Sequence, residues 1–307
     1  MFKKAVKHEA KLRLAFSGPS GSGKTFSALA VGATFGKMAV VDTEHGSASK
    51  YADIFDFDVL EVLAPYHPDK FVEAIKGAEA DGYDVIVLDS ITHAWSGSGG
   101  VLEIKDHYSK QRGYNDYTAW GPAFEAHDKL VNGIVGANIH VIATMRSKTK
   151  YVMEDYTGRD GKVRQKPVKA GMGAIQRDGM EYEFDVHLEM TPDNEGIVTK
   201  SRCIEISNKI FSKPGGELGE ILIKWLTGEP VPEPELPFEI GQEVIVKGAT
   251  DEKLGEFVGL SKYPQKLRVK IDGKEYEPLA VKVQAVVVEP TQTQIPGTEP
   301  VANGAHS

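Results

Sequence analysis

The chain has only one cysteine, Cys203, among its 307 residues. A single cysteine excludes an internal disulfide and is typical of a protein in a reducing cytoplasm. Apolar runs long enough to span a bilayer are also lacking, and the first residues, MFKKAVKHEAKLR, have no apolar stretch of the signal-peptide type. We therefore expect a cytoplasmic protein with no membrane contact.

An excess of positive charge is also lacking, since 36 Lys and Arg stand against 44 Asp and Glu, for a net charge of −8. This balance argues against binding nucleic acid over the whole surface, so any DNA contact must use local basic loops. The nine histidines show no Cys/His metal-site spacing. The composition, 41% hydrophobic and 26% charged, predicts a soluble globular protein with one sizeable domain and a small extra module.

Strand-like apolar runs alternate with helical patterns over the first three quarters of the chain. Candidate helices follow Gly23, begin near Pro68 and run from Pro122 to Val135. Strands that alternate with helices predict an α/β fold with a mainly parallel central sheet, and the closely spaced later strands predict an antiparallel extension. The candidate strands are Leu12–Phe16, Met38–Asp42, Asp58–Leu63, Val85–Asp89, Ile139–Thr144, Phe184–Met190 and Ile197–Ile206.

The pattern changes after this core, which we place at residues 1–226. Residues 227–236 (TGEPVPEPEL) are rich in Pro and Glu and indicate a stiff linker. Residues 237–288 contain short alternating strands, two of them separated by Asp272-Gly273, a strong hairpin signal. We expect a small β-barrel there, of the SH3-like kind, followed by a disordered Pro/Thr/Gly-rich tail at residues 289–307.

A glycine-rich loop follows the first candidate strand, where residues 18–25 match G-x-x-x-x-G-K-[ST] between strand-like and helix-like runs. The glycines let the backbone curl so that its N–H groups, together with the helix N-terminus, face the phosphates of ATP. Lys24 is expected to reach the β- and γ-phosphates, and Thr25 to bind Mg²⁺. We assign to nucleotide binding Gly18, Pro19, Ser20, Gly21, Ser22, Gly23, Lys24, Thr25 and Phe26.

Two carboxylates are expected beside this loop. The four apolar residues Val85–Leu88 end in Asp89, a pattern typical of the carboxylate that holds magnesium in P-loop enzymes. Because Ser90 rather than a glutamate comes next, the group that activates water must come from elsewhere. Glu44 is the candidate, since it lies at the C-terminal end of the strand Met38–Asp42, and such strand ends face the ligand crevice of an α/β sheet. The alternative is a solvated loop glutamate.

These motifs resemble those of the RecA family of recombinases. The segment AVVDTEHGSASKYAD (39–53) is similar to the family's strand that carries its catalytic glutamate before a histidine. The resemblance covers residues 12–226 and is closest to phage RecA-like ATPases of single-strand annealing and recombination. It implies a RecA-like P-loop NTPase core, Mg-dependent ATP hydrolysis at subunit interfaces of a ring or filament, and, for a phage protein, the host cytoplasm. The barrel lies outside the resemblance.

The resemblance also implies roles for groups further along the chain. The strand Ile139–Thr144 leads into MRSK, where the family places a γ-phosphate sensor. RecA proper has Gln at this position, and this chain offers Thr144 or Arg146. The sequence IVTKSRC resembles the paired basic residues that reach a neighbouring subunit's nucleotide, so Lys200 and Arg202 would act in trans. The alternative is that both are exposed strand cations.

Two long segments interrupt the core where the family has its DNA loops. In residues 95–120 cations and aromatic rings are interleaved, which suits single-stranded DNA because phosphates meet cations while bases stack on rings. Residues 146–177 carry nine cations against three acids, and their glycines predict a hairpin with a mobile loop. Either segment could instead be a solvated insertion or a lid over ATP. The DNA-binding candidates are Lys110, Arg112, Lys148, Lys150, Arg159, Lys162, Arg164 and Lys166.

The sequence therefore predicts an ATPase that assembles with itself and holds single-stranded DNA for annealing or strand exchange, with a single-strand-binding protein as a further candidate partner. Three other functions stay open. A DnaB-like motor would use the same core as a translocase. A P-loop small-molecule kinase would need an acceptor pocket but no Glu44. A nucleotide switch would bind ATP without needing Glu44 to activate water.

Overall fold

The computed structural model describes residues 10–157, 163–228, 238–247, 251–260, 267–278 and 283–285, and for 150–157, 163–171, 260 and 285 it describes the backbone alone. These residues fall into two compact units, of which the first ends at Gly228 and the second begins at Phe238. The predicted linker falls largely in residues 229–237, and the predicted tail is residues 289–307. Both therefore lie outside the described residues, apart from the first two linker positions.

The first unit is built on a nine-stranded, mostly parallel sheet. Its strand order is β3-β2-β4-β5-β1-β7-β8-β9, and β6 pairs with the extended part of β5. Pairing is parallel from β3 to β7 and antiparallel from β7 to β9, so the predicted parallel core with an antiparallel extension is confirmed. The strands are β1 Arg13–Gly18, β2 Met38–Asp42, β3 Asp58–Glu61, β4 Val85–Asp89, β5 His140–Thr157, β6 Val163–Ala174, β7 Val186–Met190, β8 Glu195–Ser201 and β9 Ile210–Ser212.

Helices cover both faces of this sheet, which makes the unit a three-layer α/β structure. Helices α1 and α6 pack with Phe16 and Leu188 in one hydrophobic core, while α2 and α5 pack with Leu88 and Val141 in another. In the part of the chain that the structure describes, no helix is long and apolar enough to cross a membrane. The helices are α1 Lys24–Gly32, α2 Pro68–Ala80, α3 Thr92–Ser96, α4 Val101–Ser109, α5 Trp120–Gly136 and α6 Gly216–Thr227.

One prediction about the later strands of the core is corrected. The strand predicted at Ile197–Ile206 ends at Ser201, and Ile204–Ile206 forms a 3₁₀ turn. The cause is local, because the Ser201 hydroxyl donates to the carbonyl of Cys203 at 2.7 Å and accepts from its N–H at 3.0 Å. These bonds turn the backbone away from the strand ladder, as serine side chains often do.

The first predicted DNA loop is also different from the expectation. Residues 95–120 are not one long loop, because they include the end of α3 and all of α4. The helical signal was present in the sequence, since Val101, Ile104 and Tyr108 recur at the spacing of one helix face. Only residues 110–119 connect α4 to α5.

The second unit is a five-stranded antiparallel sheet in the order β13-β12-β11-β10-β14. Its core contains Val244, Phe257 and Val269. The predicted hairpin at Asp272-Gly273 is confirmed, because both residues have positive φ (50° and 78°) and link two paired strands. Closure of the sheet into an SH3-like barrel stays a prediction. The strands are β10 Glu243–Lys247, β11 Glu252–Leu260, β12 Leu267–Ile271, β13 Lys274–Tyr276 and β14 Val283–Ala285.

Candidate active site

The glycine-rich loop lies between β1 and α1, at the carboxyl end of the sheet's parallel strands. Gly21 and Gly23 have φ values of 77° and 80°, which side-chain-bearing residues rarely adopt. A Cβ on Gly18 would lie 2.6 Å from Ser22 Oγ and 2.7 Å from the carbonyl oxygen of Met190. The loop can therefore curl tightly only with these glycines, and a curl of this kind forms a concavity whose backbone N–H groups can bind an anion.

Lys24 is the first residue of α1 and is held over the loop. Its Nζ donates to the carbonyl oxygen of Pro19 at 2.7 Å, and only 8% of the residue is exposed. Burial lowers the pKa of this ammonium group, although Asp89 opposes that effect. A phosphate bound by the loop would meet a cation that has already lost most of its water, which strengthens their attraction.

Asp89 ends β4 and is almost fully buried, with 1% exposure. The Thr25 hydroxyl donates to one of its carboxylate oxygens at 2.7 Å, and the Thr144 hydroxyl donates to the other. Burial raises the pKa of this carboxyl group, while the two hydroxyl bonds act against that rise. A buried carboxylate beside the helix N-terminus suits a divalent cation, which would supply the missing positive charge.

The described residues contain no cluster of three or more His, Cys, Asp or Glu that could hold a metal ion by itself. Asp89 and Thr25 alone are too few ligands for a metal cage, but they fit a magnesium ion that arrives with a nucleotide. Mg²⁺ is commonly bound by one or two protein oxygens together with substrate phosphates and water. The donor set is therefore consistent with Mg²⁺ bound as a nucleotide complex.

Glu44 follows β2, which pairs with β4 so that Asp42 lies opposite Asp89. The Asp42 carboxylate accepts from the N–H of Glu44 at 2.6 Å and from that of Ala48 at 2.9 Å, which fixes the turn. The Glu44 side chain accepts from Arg146 Nε at 2.9 Å, and this bond raises the pKa of the guanidinium. Glutamate and arginine thus face the same cleft as the glycine-rich loop.

Thr43 connects β2 to β4 and was not singled out from the sequence. Its N–H donates to the carbonyl oxygen of Asp89 at 2.8 Å, and its hydroxyl accepts from the N–H of Ser90 at 2.9 Å. The same hydroxyl lies 2.6 Å from Nδ1 of His93. The peptide bond between Asp89 and Ser90 is cis. Thr43 therefore fixes the relative position of the strands that carry Glu44 and Asp89.

The cleft around these groups has a volume of about 510 Å³. Two lining residues that the sequence did not reveal, Asn194 and Lys213, come from turns after β7 and β9, and the N–H of Lys213 donates to the carbonyl of Asn194 at 2.8 Å. An apolar wall is formed by Phe26, whose ring lies 5.7 Å from Tyr51 and 5.3 Å from Phe55. The cleft thus combines a glycine-rich loop, two carboxylates, three cations and an aromatic surface.

The two cations predicted to act in trans do not line this cleft. Lys200 Nζ donates to the carbonyl oxygen of Tyr182 at 2.5 Å and also to that of Phe184. Arg202 pairs with Asp185 at 3.1 Å and remains largely exposed. Both side chains therefore lie at the β8 side of the sheet, away from the nucleotide cleft of their own chain.

The predicted DNA-binding residues lie in two places. Lys110 and Arg112 are exposed in the α4–α5 connection, and Lys148 is exposed near the start of the β5–β6 hairpin. The predicted hairpin is confirmed, since β5 and β6 pair from Ser147 with Ala174 to Thr157 with Val163. For three candidates the structure describes the backbone alone, and two lie outside the described residues. The former are Lys150, Arg164 and Lys166, and the latter Arg159 and Lys162.

A glycine-rich loop between a parallel strand and a helix, beside a buried carboxylate at the end of a nearby strand, defines a P-loop nucleotide-binding protein. A family model described as an AAA domain matches residues 10–211, about two thirds of the chain. The chain belongs to this family and is a P-loop ATPase of the AAA type. A comparison with curated proteins gave no match.

Proposed function

We propose that this protein is a Mg-dependent ATPase of the RecA-like kind that holds single-stranded DNA and serves in annealing or strand exchange. The observation that carries the proposal is that Glu44 and Arg146 line the same cleft as Lys24 and Asp89. A kinase needs a phosphate cradle and an acceptor pocket, whereas a hydrolase needs a carboxylate that can orient water. The Glu44 carboxylate, on the strand next to that of Asp89, supports hydrolysis.

Each group then has a role in the proposed reaction. Lys24 and the loop N–H groups bind the phosphates, and Thr25 and Asp89 hold the magnesium ion, which neutralises charge on the phosphates. Glu44 accepts a proton from the attacking water. The Glu44–Arg146 ion pair holds the carboxylate when no γ-phosphate competes for the guanidinium. A γ-phosphate would draw Arg146 to itself and free Glu44, which supports Arg146 as the sensor.

Thr144 is the second candidate for the γ-phosphate sensor, but its environment differs from that of Arg146. Its hydroxyl is fully buried and is already bonded to Asp89. Arg146 lies two residues after Thr144 on the same strand, but its side chain is exposed to the cleft. We therefore assign phosphate sensing to Arg146 and support of the metal carboxylate to Thr144.

Binding of single-stranded DNA is supported by the exposed cations beside the cleft. Arg146 itself belongs to the β5–β6 hairpin, so the basic strand pair continues directly from the nucleotide site. Binding or release of a phosphate at Arg146 can therefore alter the position of β5 at Lys148, two residues later. This continuity gives a physical route by which ATP and DNA could influence each other.

Self-assembly is supported by the position of Lys200 and Arg202. Neither residue can serve the cleft of its own chain where the structure places it, and Arg202 is two-thirds exposed. A neighbouring subunit docked against β8 would meet both cations. We propose that they act on the neighbour's transferred phosphate, in a ring or a filament.

Binding of a fluorescein-labelled oligo-dT by the full chain tests the DNA part of this proposal. Phosphate contacts release counterions, so the logarithm of affinity should fall linearly with the logarithm of salt concentration. We expect a steep slope that becomes shallower by about 0.7 for each phosphate contact removed, as in Lys148→Ala. Absence of binding at low salt, with ATP hydrolysis retained, would favour the switch or kinase functions instead.

A further inference from the structure

We propose that bases of a single-stranded nucleic acid stack on the exposed rings of Tyr114 and Tyr117, in the short connection between α4 and α5. The inference rests on the proposed function and deepens it by placing a base-stacking site there. It concerns residues distinct from the cations assigned above.

Tyr117 has an unusual position for a large ring. Its exposure is 86%, the highest among the large hydrophobic side chains of the described residues, and that of Tyr114 is 39%. The Tyr114 ring also lies 5.1 Å from that of Tyr108, edge to face. Single exposed apolar residues need no explanation, but neighbouring exposed rings form a surface that a partner can cover.

The turn that presents Tyr117 is held by its own hydrogen bonds. Asn115 Oδ1 accepts from the N–H groups of Tyr117 and Thr118 at 2.9 and 2.8 Å, and the Thr118 hydroxyl accepts from the N–H of Asn115 at 2.9 Å. The N–H of Ala119 donates to the carbonyl of Asn115 at 3.0 Å. The exposed ring is therefore carried on an ordered backbone, which lowers the entropy lost when a base stacks on it.

A column of stacked rings includes Trp120, which directly follows the turn. Trp120, the first residue of α5, lies 4.9 Å from Phe124 with an interplanar angle of 25°, and 6.3 Å from Trp95 at 19°. The guanidinium of Arg177, which follows the basic hairpin, lies 4.2 Å over the Phe124 ring. The column thus joins the aromatic turn to the chain that leaves β6, and it brings the two predicted DNA segments together.

The charges around the turn favour a polyanion. Lys105 forms ion pairs with two acids of this segment, Asp116 and Asp106. Lys110 and Arg112 are exposed and make no ion pair within the described residues. Phosphates of a strand whose bases cover the tyrosine rings would therefore find free cations within a few residues, which is the combination that single-strand-binding surfaces use.

The test is the affinity of the full chain for a labelled oligo-dT at low salt, with the variants Tyr117→Ala and Tyr114→Ala/Tyr117→Ala. Loss of stacking should raise the Kd by about tenfold for the single change and more for the double change. Tyr117→Phe keeps the ring and should bind like the unchanged protein. Tyr276→Ala is the matched control, because it removes a half-exposed tyrosine from the second unit.

The possible outcomes separate this inference from the proposed function. If the unchanged protein binds oligo-dT and the double variant binds within twofold of it, the stacking site is wrong and the DNA-binding function stands. If the unchanged protein does not bind oligo-dT at all, both the stacking site and the DNA-binding function are wrong. An equal loss in Tyr117→Phe would also contradict stacking, since the hydroxyl alone would then explain it.

Discussion

The chemistry of this protein depends on a few polar side chains that the fold keeps out of water. Asp89 is almost fully buried and is held by two threonine hydroxyls, whereas Glu44 is partly exposed and bonded to an arginine. The difference in environment separates their roles. Asp89 is fixed and suited to a cation, while Glu44 can exchange Arg146 for a water molecule.

Glu44→Gln should abolish most of the ATP turnover without loss of nucleotide binding. The amide keeps the shape of the side chain but cannot accept a proton, so kcat should fall by at least about a hundredfold. The Kd for ATP should stay within about threefold, because the residue binds no phosphate in the proposed mechanism. Steady-state hydrolysis and equilibrium binding measure the two quantities.

Glu73→Gln is the matched control for this change, because Glu73 is an exposed residue of α2 outside the cleft. It should leave both kcat and the Kd unchanged. If Glu44→Gln retains normal turnover, Glu44 does not activate water, and the ion pair with Arg146 would be structural.

At the scale of single residues, the sequence revealed the groups that each lie within a short continuous stretch of the chain. The glycine-rich loop and Asp89 follow from spacing, and Glu44 follows from its place after a strand, where the structure indeed brings it beside β4. Asn194 and Lys213 could not be found in this way. They reach the cleft from two separate turns with positive φ (61° and 50°), and only the tertiary fold brings those turns together.

At the scale of elements, β1, β7 and β8 are linked by a buried histidine. His187 lies on β7, its Nε2 is 2.9 Å from the Ser17 hydroxyl of β1, and its Nδ1 is 2.6 Å from the Thr199 hydroxyl of β8. Burial lowers the pKa of His187 to about 4. The ring is therefore neutral near pH 7 and connects the strand before the glycine-rich loop to the strand of Lys200.

The free energy of unfolding should depend on pH in a way that reflects the lowered pKa of His187. The unfolded chain binds a proton near the ordinary pKa of 6.5, but the folded chain binds it only near 4. Its contribution is fully present above pH 6.5 and is lost as the pH falls toward 4. Between pH 7.5 and 5.0 the free energy of unfolding should therefore fall by about 2 kcal/mol more in the unchanged protein than in His187→Gln.

Urea unfolding of the two proteins at both pH values measures this difference. His107→Gln, which changes an exposed histidine of α4, is the control and should leave the pH dependence as it is. An equal fall in the unchanged protein and in His187→Gln would show that the histidine does not link folding to protons.

The alternation of strands and helices made the core predictable at this scale, because buried parallel strands such as β4 are apolar up to their last residue. Local side-chain bonds were harder to foresee. The Ser201 hydroxyl ended β8 earlier than its apolar pattern indicated. The short strand β9 was missed because its three residues carry no clear alternation.

At the scale of the whole molecule, the proposed assembly makes each active site depend on two chains. Lys24→Ala should inactivate a subunit's own site, and Arg202→Ala should inactivate its neighbour's by on the order of a thousandfold. Mixed in equal amounts, the two inactive variants should regain about a quarter of normal activity, because half of the sites are intact and half of their neighbours supply arginine.

Hydrolysis by each variant alone and by the mixture measures this complementation. Lys24→Ala mixed with the double variant Lys24→Ala/Arg202→Ala is the control, since it has no intact site. If the first mixture stays inactive while the unchanged protein assembles, Arg202 does not act across the interface.

ATP hydrolysis by the full chain, with and without single-stranded DNA and beside Lys24→Ala, is the decisive experiment for the proposed function. We expect hydrolysis that rises when the DNA is added and that disappears in the variant. Hydrolysis in the unchanged protein that is indifferent to DNA would contradict the coupling of the cleft to single strands. Hydrolysis that survives Lys24→Ala would contradict the cleft itself as the active site.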